Sequence, residues 1–323
     1  MLYREALNKA IDECMNEDES VVILGEDVGR YGGSYRVSEG LFAKYGKERV
    51  MDTPIAELSI VGNSIGMAIA GLRPIAEIMT SNFSLLAFDQ IINHSAKFRY
   101  MSGGKMTIPL TIRMASGVSR QLAAQHSENY DSMFASVPGL TVFAPSDAIS
   151  AYYSLKYAIK SNDPVVFIEH ELLYPKDFEF KECDFDPFKA RVIKEGKDIT
   201  IITYSKMLQD TLEAEKELAK QGLDVEIIDL TSLRPIDIDT IKKSISKTKK
   251  AVIVEENHKT GGIGAEITAK IMENCFYDLD MPVLRISGED VPIPYNRKLE
   301  LLSIPTPDKI VNKINEWRAQ NGI

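Results

Sequence analysis

Ile199-Thr200-Ile201-Ile202-Thr203-Tyr204 leads into a helical stretch over 207–221, a Gly222 stop, and Val225-Glu226-Ile227-Ile228-Asp229-Leu230. The two flanking runs are apolar and β-branched, as strands buried on both faces are. A helix between two such strands makes a parallel crossover unit. The alternation continues with a helix near 237–246, strand Ala251-Val252-Ile253-Val254, a helix over 263–275 and strand Val283-Leu284-Arg285-Ile286. Toward the N-terminus it begins with an amphipathic helix over 2–17 and strand Val21-Val22-Ile23-Leu24. Strands Ile75-Ala76-Glu77-Ile78, Leu110-Thr111-Ile112-Arg113, Leu140-Thr141-Val142-Phe143 and Val165-Val166-Phe167-Ile168 follow, with helices around 84–100 and 147–160. Between 175 and 197 the pattern lapses into charged, aromatic and proline-containing sequence. The expectation is an α/β protein of two domains, each a mostly parallel sheet flanked by helices, over residues 1–180 and 198–323 with a linker at 181–197.

The bulk composition suits that reading. The 323 residues are 44% hydrophobic and 26% charged, with a formal net charge of −9. A negative chain has no sequence-independent grip on nucleic acid or an anionic membrane surface. No apolar run approaches the roughly 20 residues of a membrane helix. Cys14, Cys183 and Cys275 are widely spaced and odd in number, which fits neither a disulfide framework nor a zinc site. The N-terminus, Met1-Leu2-Tyr3-Arg4-Glu5, carries charge early and has no apolar signal core. A soluble, cytoplasmic protein is expected.

Asp52-Thr53-Pro54-Ile55-Ala56-Glu57 precedes a small, apolar helical run over 58–72. Pro54 is a helix-start signal, and Asp52 or Thr53 can cap the free amides. Glu57 is then in or near a first helical turn beside buried positions. It is either a partner of the helix dipole or a chemical tool. Gly62, Gly66 and Ala70 recur every fourth residue on that helix, so one face is small enough for another backbone. That backbone belongs either to the same domain or to another subunit.

A phosphate cradle is missing. Gly25-Glu26-Asp27-Val28-Gly29 after the first strand departs from G-x-G-x-x-G and sets two acids where a pyrophosphate would lie. Gly261-Gly262-Ile263-Gly264 opens a helix without the rest of that motif, and no G-x-x-x-x-G-K-S/T or H-E-x-x-H occurs. A dinucleotide-dependent oxidoreductase is therefore poorly supported. His126, in Gln125-His126-Ser127-Glu128, follows a strand end and is either a proton carrier or a structural hydrogen-bonder. Phe83, in Thr80-Ser81-Asn82-Phe83, is either core or a stacking platform. His94 and His170 lean structural, and His258 lies in a strand-to-helix loop.

These segments occur in a known order. Gly25-Glu26-Asp27-Val28, Asp52 to Glu57, Gly71-Leu72-Arg73-Pro74, Phe88-Asp89-Gln90-Ile91, Gln125-His126-Ser127, Val137-Pro138-Gly139-Leu140 and Asp229-Leu230 resemble the β subunits of thiamine-diphosphate-dependent 2-oxo acid dehydrogenases. The likeness runs from about residue 3 to 311 and is strongest to the branch acting on pyruvate. It implies a transketolase-like pyrimidine-binding domain followed by a transketolase C-terminal-like domain.

The resemblance also implies roles. The acid matching Glu57 hydrogen-bonds the aminopyrimidine of thiamine diphosphate, and it needs a raised pKa, which desolvation can supply. Phe83 matches the aromatic that stacks on that ring. His126 matches a histidine that aids acyl transfer to a lipoyl arm. Diphosphate and magnesium are held by a Gly-Asp-Gly motif of a separate α subunit, and this sequence has none. A heterotetramer of two α and two β chains is implied, with the C-terminal domain docking the dihydrolipoamide acyltransferase core. A potassium site is implied at Leu110, Ala158, Ile159, Ser161 and Asp163, where a helix end stopped by Pro164 would present free carbonyls. Ser161 and Asp163 differ from the family's acid and amide. The expected reaction is decarboxylation of pyruvate with acetylation of lipoyl. Branched-chain 2-oxo acids or acetoin are the alternative substrates, and a non-catalytic assembly subunit is the alternative of another class.

Overall fold

The computed structural model describes residues 1–118 and 120–322. By contacts it divides into two units, one of Met1–Ser116 with Met133–Pro187 and one of Gly117–Ser132 with Phe188–Ile323.

In the first unit, six parallel strands run in the order β5-β6-β4-β3-β1-β2. They are β1 (Val21–Gly25), β2 (Val50–Asp52), β3 (Arg73–Ile78), β4 (Thr111–Ser116), β5 (Thr141–Phe143) and β6 (Val165–His170). β1, β4 and β6 are buried along their whole lengths, which is why they lack polar alternation. Helices α1 (Tyr3–Glu17), α2 (Leu41–Tyr45), α3 (Glu57–Ile69), α4 (Phe98–Met101), α5 (Asp131–Ala135) and α6 (Ala148–Lys160) accompany them. α1 buries Tyr3, Ala6, Leu7, Ala10, Ile11, Cys14 and Met15, so the predicted face is the one turned inward. Asp147 caps α6 by accepting from the Ser150 amide at 2.8 Å.

The helix expected around 84–100 is broken into a 3-10 turn (Ser81–Ala87), a π-helical turn (Gln90–Ser95) and α4. Ser84 and Ser95 are buried there, their hydroxyls donating to the carbonyls of Ser81 and Ile91. Side chains that bond local carbonyls compete with a regular helix. α3 buries Ile60, Val61, Ser64, Ile65 and Ala68. Its small stripe lies elsewhere: a Cβ on Gly66 would meet nothing within 4 Å, and one on Gly62 only Gln90 Cγ at 3.8 Å. Internal packing does not require those glycines.

The second unit has a five-stranded sheet in the order β12-β11-β8-β9-β7. Its strands are β7 (Arg191–Lys194), β8 (Ile199–Thr203), β9 (Val225–Asp229), β11 (Ala251–His258) and β12 (Leu284–Gly288), and β10 (Ser232–Arg234) follows β9. All sheet neighbours are parallel except β7 with β9. Arg191–Lys194 therefore lies inside the stretch expected as linker, and its half-exposed residues explain why no period marked it. Helices α7 (Met207–Lys220), α8 (Ile238–Thr248) and α9 (Ile263–Cys275) match the expected ones, whereas α10 (Arg297–Ser303) and α11 (Pro307–Gln320) were not foreseen. Ile310, Ile314 and Trp317 of α11 join Leu208, Leu218 and Val225 in one core. No described helix is long and apolar enough to cross a membrane.

Candidate functional site

In an open parallel sheet, ligands bind beyond the carboxyl ends of the strands. At those ends the first unit gathers Glu26 after β1, Thr53 after β2 and Thr80 after β3. Gly25 allows the close approach, since a Cβ there would lie 2.7 Å from the carbonyl oxygen of Glu77. The Thr53 amide donates to Gly25 O at 2.9 Å and carries the chain from β2 toward α3.

Asp52 does not cap α3. Its Oδ1 accepts the amide of Gly29 at 2.6 Å, and the helix begins later, with Ala56 as an N-cap that has no side-chain hydrogen bond. Glu57 is thus the first residue of α3, buried, at the positive end of the helix. No hydrogen bond or ion pair of its carboxyl is found among the described residues. Glu26 is also buried, and its Oε1 has no hydrogen-bond partner. Burial, then the charges of Glu57, Asp27 and Glu77, push the Glu26 carboxyl above the ordinary range. In the sequence Glu26 stands out only as an acid that argues against a pyrophosphate; its place at the end of a buried strand was the signal for more.

Thr53 Oγ1, Thr80 Oγ1 and Gln90 Oε1 are buried without partners around the same strand ends. Native interiors pair nearly all such groups, so these atoms are candidates for contact with another molecule. Phe83 is half-buried on the 3-10 turn, its amide donating to Thr80 O at 3.0 Å. α3 packs against that turn. An acid and an aromatic ring on neighbouring elements suit a flat, hydrogen-bonding heterocycle.

His126 is exposed, and it belongs to the second unit rather than to the sheet that its chain has just left. Its amide donates to Ala123 O at 3.2 Å. His170 is buried, with Nδ1 accepting from the Leu172 amide at 3.1 Å, a structural role. His94 is partly exposed, with Nδ1 3.3 Å from Asp89 O. His258 is exposed at the end of β11, beside a recess that Glu128 also lines.

The five residues expected for potassium lie around the end of α6 and the start of β4, and each of their carbonyls already accepts a hydrogen bond. Leu110 O accepts from the Val165 amide at 2.9 Å and Ala158 O from the Ser161 amide at 3.2 Å. Arg73 Nη1 donates to Ser161 O at 2.9 Å and Ile159 O at 3.4 Å. Asp163 O accepts from Ser161 Oγ at 2.9 Å, and its side chain pairs with Arg99. A guanidinium thus already compensates the negative end of α6. Among the described residues no group of His, Cys, Asp and Glu is arranged to hold a metal ion.

Residues 1–176 match the family described as "Transketolase, pyrimidine binding domain", and residues 188–310 match "Transketolase, C-terminal domain". "Pyruvate dehydrogenase E1 component subunit beta" of Gracilaria tenuistipitata var. liui is 49% identical, covering 97% of this chain and 98% of its own. The protein of the same name from Porphyra purpurea is 50% identical, with 96% and 94% covered. "Pyruvate dehydrogenase E1 component subunit beta-1, mitochondrial" of Arabidopsis thaliana is 47% identical, with 96% and 87% covered. A solved structure titled "Split gene transketolase, inactive beta4 tetramer" superposes with a TM-score of 0.81 at 26% identity, covering 98% of this chain and 97% of that one.

Proposed function

The chain belongs to the family of pyruvate dehydrogenase E1 component β subunits, and from that premise we propose that it builds the pyrimidine half of a thiamine diphosphate site. The observation that carries the proposal is Glu57, a buried residue whose carboxyl has no partner in the described chain, beside Glu26, whose Oε1 is buried and unsatisfied. Glu57 would hydrogen-bond a ring nitrogen of the aminopyrimidine from the first turn of α3. Phe83 supplies the face on which the ring rests. When bound, thiamine diphosphate supplies the electron sink that lets carbon dioxide leave a 2-oxo acid.

The acids around β1 are unsuited to a diphosphate, and the sequence contains no Gly-Asp-Gly. The diphosphate and its Mg2+ therefore belong to an α partner, in a two-α two-β assembly. The open Gly62 and Gly66 positions on α3 support a seam of this kind. The second unit is assigned docking to a dihydrolipoamide acyltransferase core. The acceptor is its lipoyl disulfide: two electrons left by carbon dioxide break the S–S bond, one sulfur takes the acetyl group and the other a proton. His126, an exposed imidazole, moves that proton.

A monovalent cation at the end of α6 is proposed as a structural addition, because each carbonyl there keeps a second lone pair. Equal melting temperatures in potassium and choline chloride at matched ionic strength would remove it. Three free cysteines, two of them buried, support a reducing, cytoplasmic location, which cell fractionation checks. The tetramer named in the split-gene neighbour's title favours one further reading, that the chain alone self-associates without activity.

The test is reconstitution with the α partner, thiamine diphosphate and Mg2+. Pyruvate should be consumed, and Glu57→Gln should abolish this; a fully active Gln variant refutes the assignment. Turnover on 3-methyl-2-oxobutanoate or acetoin in preference to pyruvate would move the substrate to those branches. Wild-type rates in both Glu57 and His126 variants, with assembly lost, would make the chain a non-catalytic bridge.

A further inference from the structure

The loop that carries His126 contains an unusual backbone. Arg120, Gln121 and Ala123 have φ of +52°, +59° and +65°, a left-handed conformation that non-glycine residues rarely adopt. Three such residues within four positions do not persist without outside support. The support comes from α10. Glu300 is fully buried, and its Oε1 accepts the amide of Gln121 at 2.9 Å. Its Oε2 accepts from Arg297 Nη1 at 2.5 Å, so the carboxylate is itself held in place. The Gln121 side chain adds a contact, its Nε2 donating to Tyr295 O at 3.3 Å.

The loop is also pinned on either side of the strained turn. The Val118 amide donates to Glu256 Oε1 at 2.8 Å. At the far end Asp131 is buried and accepts from Tyr204 Oη at 2.5 Å and Asn257 Nδ2 at 3.0 Å. Gln121 and Asp131 each lie five residues from His126, and on the Gln121 side a turn closed by the His126 amide on Ala123 O leads directly back to the imidazole's residue. We infer that Glu300 is a positioning residue for His126: by accepting the Gln121 amide it holds the left-handed turn that sets where the imidazole stands. The role assigned to His126 under the proposed function is the premise of this inference.

The experiment uses the full chain reconstituted with its α partner and compares two rates. One is acetylation of a lipoyl domain, which needs His126. The other is pyruvate decarboxylation read with ferricyanide as electron acceptor, which bypasses the lipoyl arm. Glu300→Ala should lower lipoyl acetylation tenfold or more and change the ferricyanide rate less than twofold. Glu300→Gln keeps an acceptor for the Gln121 amide and should recover most of the loss. Equal loss of both rates, or no loss in either, overturns the inference. Should Glu300→Ala fail to fold, Arg297→Ala decides the matter, since that side chain is half-exposed. It should show a weaker loss confined to lipoyl acetylation, and an unchanged ratio of rates refutes the inference. A His126→Ala control with wild-type lipoyl acetylation overturns instead the acyl-transfer role on which the inference stands.

Discussion

Arg113 donates from Nε and Nη2 to the two carboxylate oxygens of Glu169, each at 2.7 Å, with both side chains buried. Arg113 lies on β4 in register with Glu77 of β3, whose Oε2 accepts its Nη1 at 2.5 Å. Tyr174 completes the group by donating to Glu169 Oε2 at 2.7 Å. A forked guanidinium can satisfy two carboxylates at once, which an ammonium cannot. The cluster ties together β3, β4 and β6 near the strand ends where Glu26 and Glu57 stand.

Arg113→Met should destabilise the first unit by about 3–5 kcal/mol, because it leaves two buried carboxylates facing each other without a cation. Glu169→Gln should cost less, since Arg113 keeps Glu77. Urea midpoints of the purified variants report the order. A Met variant within about 1 kcal/mol of wild type would show that the cluster is not an anchor.

Glu26 gives stability a pH dependence of known sign. Its carboxyl is raised in the folded chain by burial and by the charges of Glu57, Asp27 and Glu77. The folded state holds that proton more tightly than the unfolded one. The stabilising contribution is therefore full below the ordinary glutamic acid value and is lost as pH rises through the elevated one. Glu26→Gln stays neutral throughout, so its melting temperature should gain on wild type between about pH 4 and neutrality. Parallel melting curves at the two ends of that range would contradict the placement of Glu26 among like charges.

Gly139→Ala should be severe. The residue has φ of +96°, and an added Cβ would lie 2.1 Å from the carbonyl oxygen of Ala96. Neither the strained backbone nor the colliding main chain can yield cheaply, so a loss of about 3 kcal/mol is expected. Soluble yield and the thermal midpoint measure it.

Gly66→Leu separates the chain from its assembly. The position is exposed and open, and leucine is the better helix former, so the isolated chain should gain up to about 1 kcal/mol. The same side chain would block a close helix partner. Size-exclusion chromatography of the mixture with the α partner should show less complex. Undiminished complex would place the seam elsewhere.

How much of this was legible beforehand differs from element to element. Strands such as Ile199–Thr203 and Val165–His170 were visible because burial on both faces demands an unbroken apolar run. α7 and α9 announced themselves through their period. The helix expected around 84–100 did not form as one piece, because buried Ser84 and Ser95 bond local carbonyls. Arg191–Lys194 escaped notice because an antiparallel edge strand is half-exposed and lacks a continuous apolar signal.

The candidate site divides in the same way. The order of short motifs from Gly25-Glu26 to Asp229-Leu230 was enough to select Glu57, Phe83 and His126, since these are identities at positions in a chain. Their surroundings were not readable from those identities. Neither the company of Glu26 beside Glu57, nor Asp52 turned to the Gly29 amide, nor Arg73 on the carbonyls at the end of α6 is a local property. Each joins residues from separate elements, and only the folded sheet determines which charges share a low-dielectric space. The sequence by itself determined an α/β chain with a candidate acid at Glu57 and no phosphate cradle, because composition and period are local. The tertiary structure decided that the acid is buried without a partner, and that the loop of His126 hangs on a carboxylate of α10.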